Sequence, residues 1–185
     1  MSTRSRIGME MPDGKIKSIY SHWDGYPSGV GAILEKHYKD PKKIEELLDL
    51  GDISSLGSFY DEELSAIDFK KFDDPIKRDG IIKKTAECTV AYKDRGENCP
   101  ARIDDDEGEF VSKLGDCSEE YGYLYMEDYD GVWRWVVYET PWRQRLTDLL
   151  KKEGVDLTNK NTEKDMGIKI IDQLGLDDQS KLEMA

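Results

Sequence analysis

Two Asp-Gly pairs, Asp13-Gly14 and Asp130-Gly131, constrain this chain more than any other feature. Each sits between runs of alternating apolar and polar residues, the pattern of a β-hairpin with a two-residue turn. Folding at the first turn pairs Met11 with Ile16, Met9 with Ser18 and Ile7 with Tyr20 on one face. The other face then sets Glu10 opposite Lys17, Arg6 opposite Ser21 and Arg4 opposite Trp23. Folding at the second turn sets Met126 opposite Trp135, Leu124 opposite Val137 and Glu127 opposite Arg134. Its expected apolar face is Leu124, Met126, Trp133, Trp135 and Val137.

The first hairpin runs into a dense turn, Ile19 to Gly31, with glycines at 25, 29 and 31, Pro27, His22 and Asp24. Pro27 suits a first helical turn, and Val30, Ile33, Leu34 and His37 recur at helical spacing as far as Tyr38. Asp40-Pro41 opens a second helix whose buried stripe is Ile44, Leu47 and Leu48, stopped by Gly51. Between 58 and 85 the chain is mixed and charge-rich, an insertion in which Phe59, Leu64, Ile67, Phe69 and Phe72 can form a satellite cluster. Cys88 to Tyr92 reads as a further strand. Thr140-Pro141 opens a helix with Trp142, Leu146, Leu149 and Leu150 inward, ending near Gly154. Two hairpins and a strand covered by helices give an α+β fold with a mainly antiparallel sheet. The expected organisation is one domain over 1–154 and a polar tail over 155–185 with one weak helical pattern.

Charge narrows the function. The chain carries 40 Asp and Glu against 27 Lys and Arg, a formal charge of −13, which opposes binding to a nucleic-acid backbone. Residues 94–130 alone hold 13 acidic against three basic residues. Within them Asp104-Asp105-Asp106-Glu107-Gly108-Glu109 is expected to be an acidic loop that cannot bury itself, and such a field attracts cationic surfaces. Cys88, Cys99 and Cys117 are widely spaced with no Cys-x-x-Cys pair, as in a reducing cytosol. No membrane-spanning run or signal segment is seen, so the expectation is a soluble cytoplasmic protein.

Chemistry at a reaction centre has to pass through one of two histidines. His37 sits on a helix near apolar positions, as a structural histidine does. His22, at a strand end beside Asp24, allows a metal-dependent phosphoester hydrolase with His22 as general base, Asp24 orienting it or binding metal, and Arg4 and Arg6 on phosphate. The simpler account stacks Arg4 on Trp23 across the hairpin and leaves Asp24-Gly25 as turn chemistry. No phosphate-binding loop, nucleophile elbow or metal-ligand helix is present. No catalytic residue, cofactor or metal is therefore assigned.

Four stretches resemble a family: Ser2 to Gly8, Ile19 to Pro27, Leu50 to Gly57 and Ala91 to Glu97. They are similar to small phage and mobile-element proteins, a group that looks to include type II anti-CRISPR proteins. The resemblance covers about the first 57 residues and the strand near 88–97. It implies a non-enzymatic inhibitor of the type II CRISPR effector nuclease with its guide RNA, acting in the host bacterial cytosol. Such a nuclease has a basic channel for nucleic acid, and an acidic protein can occupy it as a DNA mimic. The residues expected to face this basic partner are Asp104, Asp105, Asp106, Glu107, Glu109, Glu119 and Glu120, with Trp23 and Asp24. A DNA mimic aimed at another host defence or DNA-binding protein is the neighbouring expectation.

Overall fold

The computed structural model describes residues 2–68, 74–76, 80, 87–140 and 142–158. Phe69 and Phe72 of the expected satellite cluster, and the helical pattern from Thr162 to Leu174, lie outside the described residues. The fold is α+β, built on one sheet of eight strands, mostly antiparallel. The strands are β1 (Ser5–Glu10), β2 (Ile16–Ser21), β3 (Ile53–Ser55), β4 (Val90–Ala91), β5 (Arg102–Asp104), β6 (Tyr121–Glu127), β7 (Trp133–Glu139) and β8 (Trp142–Arg145). Their order is β4-β3-β2-β1-β6-β7-β8, with β5 pairing the turn-proximal half of β2. The two hairpins, β1–β2 and β6–β7, are joined by the parallel pair β1–β6 at the centre.

Both hairpins form, and both are shifted by one residue from the expected pairing. Ile7 faces Ile19 and Met9 faces Lys17, while Tyr125 faces Trp135 and Met126 faces Arg134. The same turn explains both shifts. In the first loop the Gly14 N–H bonds the Met11 carbonyl and the Met11 N–H bonds the Lys15 carbonyl. In the second, the Gly131 N–H bonds the Asp128 carbonyl and the Asp128 N–H bonds the Val132 carbonyl. Only the glycines enter the left-handed region, Gly14 at φ 83° and Gly131 at φ 77°, so Asp13 and Asp130 do not adopt the doubly left-handed two-residue turn. The result in each case is a three-residue loop, a tight turn followed by a glycine bulge.

A one-residue slip exchanges the faces of a strand, and here both faces are buried. On one side Ile7, Met9, Ile19, Tyr123, Trp135 and Val137 meet the helices, whereas Leu124 and Met126 point to the other side with Ile16, Val136 and Tyr138. The helices on the first side are α1 (Ala32–His37), α2 (Pro41–Asp49) and α5 (Leu146–Lys152). They contribute Leu34, Ile44, Leu47, Leu48, Leu146 and Leu150. A short α3 (Glu62–Ser65) buries Leu64, with Phe59 and Ile67 also inside. On the second side α4 (Glu107–Ser112) lays Phe110 on the sheet.

Local chemistry sets the helix ends. Pro27–Gly31 forms a π-helical turn that runs directly into α1. Asp40 caps α2 by accepting from the Lys42 N–H at 3.0 Å, and Pro41 occupies the first position. Trp142, expected on the inner stripe of the last helix, instead begins edge strand β8, and α5 starts only at Leu146.

Candidate functional site

The sheet register sorts the expected partner-facing residues into two groups at opposite ends. Ser21, Ser5 and Tyr121 lie in one row, and Glu139 pairs with Trp142 at the same end. The opposite end carries Ile16 with Asp104, and Glu127 with Trp133. Five residues at about 3.3 Å each separate the ends by roughly 17 Å. Asp104 to Glu109 therefore belong to one end, and Trp23, Asp24, Glu119 and Glu120 to the other.

Of the acidic loop only Asp104 is buried; Asp105 and Asp106 are exposed, and Glu107 and Glu109 are half-buried and engaged. Asp104 is 0 % exposed, extends β5, and is clamped by Arg102 at 2.9 Å and Lys113 at 3.1 Å. Asp105 pairs with Lys15 at 3.0 Å on the surface. Asp106 is the N-cap of α4, accepting from the Glu109 N–H at 2.8 Å, while the Glu109 carboxylate returns to the Asp105 N–H. This is a reciprocal cap, with Glu109 also held by Lys113. Glu107 accepts from the Tyr138 hydroxyl and lies beside Arg143. Glu119 is also inside, 7 % exposed, bonded to Arg6 at 2.8 Å and to the Gly115 and Cys117 N–H groups. Burial raises its carboxyl pKa, but Arg6 and the N–H donors outweigh this and hold it below the usual range. Asp104 and Glu119 thus leave the set that a partner could touch.

Asp128 and Asp130 are consumed likewise. Arg134, Arg143 and Arg145 converge on the Asp128 carboxylate at 2.7 to 3.2 Å, and Arg134 and Arg145 also reach Asp130. A Tyr129 N–H bond, more than offsetting desolvation, and the arginines bring Asp128 to about 2. Of the 13 acidic residues in 94–130, those with no ion pair among the described residues are Glu97, Asp106, Asp116, Glu120 and Glu127. The strongest negative feature of the sequence is mostly scaffold.

One group of carboxylates without ion pairs gathers at the Tyr121 end of the sheet. Burial pushes the Tyr121 hydroxyl above its ordinary pKa, and the carboxylates of Glu139, Glu120 and Glu153 push it further the same way. These three come from the end of β7, the approach to β6 and the C-cap of α5, and none has an ion pair among the described residues. Beside them Trp142 is 73 % exposed. At the same end of the sheet Trp23 and Tyr26 are 47 % and 40 % exposed, in the loop leaving β2. That loop is held rigidly: Tyr123 donates its hydroxyl to the Gly25 carbonyl at 2.7 Å, and Asp24, at φ 56°, accepts from Val30 N–H through its carbonyl at 2.8 Å.

The dyad of the hydrolase reading is not assembled. His22 Nδ1 is bonded to the Tyr20 hydroxyl at 2.8 Å, and the Asp24 carboxylate accepts from the Tyr26 hydroxyl at 3.3 Å. Arg6 is spent on Glu119. The indole of Trp23 takes the His22 ring edge-on at 4.7 Å, and past the last hairpin pair, Ser5 with Ser21, it is Gly25 that returns to the first strand, donating its N–H to the Thr3 carbonyl at 2.8 Å. Among the described residues no group of three or more His, Cys, Asp or Glu side chains could hold a metal, and no helix is long and apolar enough to cross a membrane. No protein-family model, characterised protein or solved structure matches this chain.

Of the partner-facing residues expected from the sequence, Trp23, Asp24 and Glu120 lie at this end; Tyr121, Glu139, Trp142 and Glu153, which share the corner with Glu120, were not among them. Each of the four stands at the end of an element, and only the sheet register brings them to one corner. The one legible signal was Glu139, a charge that closes a strand directly after its four buried residues, Trp135 to Tyr138.

Proposed function

We propose that this chain is a non-enzymatic binding protein that sets its acidic, aromatic sheet end against a cationic, nucleic-acid-handling protein. The partner implied by the resemblance is the type II CRISPR effector nuclease with its guide RNA, whose loading or cleavage of DNA would be blocked by a DNA-mimicking surface. The observation that carries this reading is the convergence of Glu120, Glu139 and Glu153, without ion pairs, around Tyr121 and next to exposed Trp142. Carboxylates in this arrangement offer negative charge where phosphates would lie and speed encounter with a basic surface, while large aromatics supply holding energy. The formal charge of −13 favours a basic protein over nucleic acid as the direct ligand.

The test is charge reversal. Glu120→Lys/Glu139→Lys/Glu153→Lys is expected to weaken binding to the guide-loaded nuclease by about three- to 150-fold, since each exposed pair contributes about 0.2–1 kcal/mol. Reversal of Asp105 and Asp106 at the far end is expected to change it little. Binding should also weaken as salt rises. Unchanged inhibition by the triple variant removes the corner from the mechanism. Recovery of a different cationic DNA-binding protein from host lysate would redirect the proposal to that partner.

A further inference from the structure

At the opposite end of the sheet a groove of about 500 Å³ opens between the β1–β2 loop, the first turn of α2 and β7. Its walls are Met9, Met11, Pro12, Pro41 and the ring of Trp133. Trp133 is exposed, yet it is set in place by the Tyr125 ring at 5.8 Å, which in turn packs on buried Trp135 at 5.4 Å. The groove is thus a fixed apolar slot lined with two adaptable thioethers. Its rim is charged unequally. Glu10 and Glu45 line it and Glu127 stands across the strand pair from Trp133, against Lys42 as the cation of the lining. None of the three carboxylates has an ion pair among the described residues.

We infer that this groove is an anchor site for a basic amphipathic segment of a partner protein: one large apolar side chain enters between Trp133, Met9 and Met11 while neighbouring Lys or Arg side chains meet Glu10, Glu45 and Glu127. The inference rests on the reading of the chain as a ligand for a cationic protein, and adds the apolar contact that fixes such a partner after electrostatic encounter. An apolar slot alone would take any greasy side chain. The unpaired carboxylates around it select for positive flanks, because an acidic segment would place like charges together.

The probe is a set of short capped peptides titrated into the isotopically labelled full chain. The peptides are Arg-Leu-Lys-Leu-Arg, the same with serine for leucine, and Glu-Leu-Glu-Leu-Glu. The basic leucine peptide is expected to give saturable NMR shifts confined to the Trp133 indole and the Met9 and Met11 methyls. The serine and acidic peptides should bind at least about tenfold more weakly. Trp133→Ser should abolish the shifts, and Glu10→Lys/Glu45→Lys should erase the preference for the basic peptide. Equal binding of the leucine and serine peptides, no saturable shift, or shifts elsewhere on the sheet would overturn the inference. No nuclease takes part, so this outcome is independent of the charge reversal at Glu120, Glu139 and Glu153.

Discussion

Replacing Arg6 with methionine keeps the length of the side chain and removes its charge from a place where water cannot substitute. Arg6 and Glu119 are both buried, joined at 2.8 Å, and Arg6 also reaches the Ser18 hydroxyl at 3.3 Å. Removing one member of a buried pair costs about 3–5 kcal/mol, because the other charge is left without its counter-ion. Glu119 keeps the Gly115 and Cys117 N–H donors, which places Arg6→Met near the lower end, about 3 kcal/mol. Against a total stability of about 5–15 kcal/mol this is a large loss, and with a urea slope of about 1–3 kcal/mol/M it moves the unfolding midpoint down by about 1–3 M. The pH dependence supplies the sharper reading. The Glu119 carboxyl is held below its ordinary value, so its stabilising contribution is present above the usual carboxylate range and is lost as pH falls through the depressed folded value. In Arg6→Met burial acts unopposed by the guanidinium, Glu119 takes up its proton at higher pH, and the deficit against wild type shrinks on acidification. Glu119→Gln in the Arg6→Met background should restore part of the loss at pH 7, since the buried charge is gone and an acceptor for the two N–H groups remains. Urea unfolding at pH 7 and pH 4 decides it: a cost under about 1 kcal/mol at pH 7, or a deficit independent of pH, refutes the account of the pair as a buried, mutually dependent unit.

Two further outcomes concern a glycine turn and the cysteines. Gly51 has φ 74°, and a Cβ there would lie 2.2 Å from the Cys99 carbonyl oxygen, so Gly51→Ala should cost about 2 kcal/mol or more and lower the melting temperature measurably. Cys88 is buried and its thiol is pushed up to about 12 mainly by that burial, whereas Cys117 is exposed. Alkylation at pH 8 followed by mass spectrometry should therefore label Cys117 in the folded protein and Cys88 only in denaturant, and early labelling of Cys88 would contradict its placement.

Short-range chemistry was legible where one residue type has one job. Asp40-Pro41 forecast the start of α2, Gly51 its end, and Pro27 the turn into α1. The hairpins were legible as pairs of strands but not in their register. Asp-Gly fits two loop lengths, and the choice depends on whether the aspartate also enters the left-handed region, as it does not here. The resulting face assignment mixed Leu124 and Met126 with Trp135 and Val137, because a sheet covered on both sides has no polar face to show the error. Trp142 was misplaced for a related reason: its apolar bulk fits a helix stripe, and only the pairing of Glu139 with Trp142 reveals an edge strand.

Charge marks the division most plainly. The order of residues alone determined an acidic, α+β chain with two glycine-turned hairpins, since composition and turn chemistry act within a few residues of each other. Which carboxylates remain for a partner was decided in three dimensions. Arg6 comes from 113 residues away to neutralise Glu119, while Lys113 folds back over α4 onto Asp104 and the arginines of β7 and β8 reach Asp128 across the hairpins. Glu120, Glu139 and Glu153 acquire a common neighbourhood only when three elements end at the same corner of the sheet. Ion pairing and burial depend on distance through space, which a one-dimensional charge count does not contain.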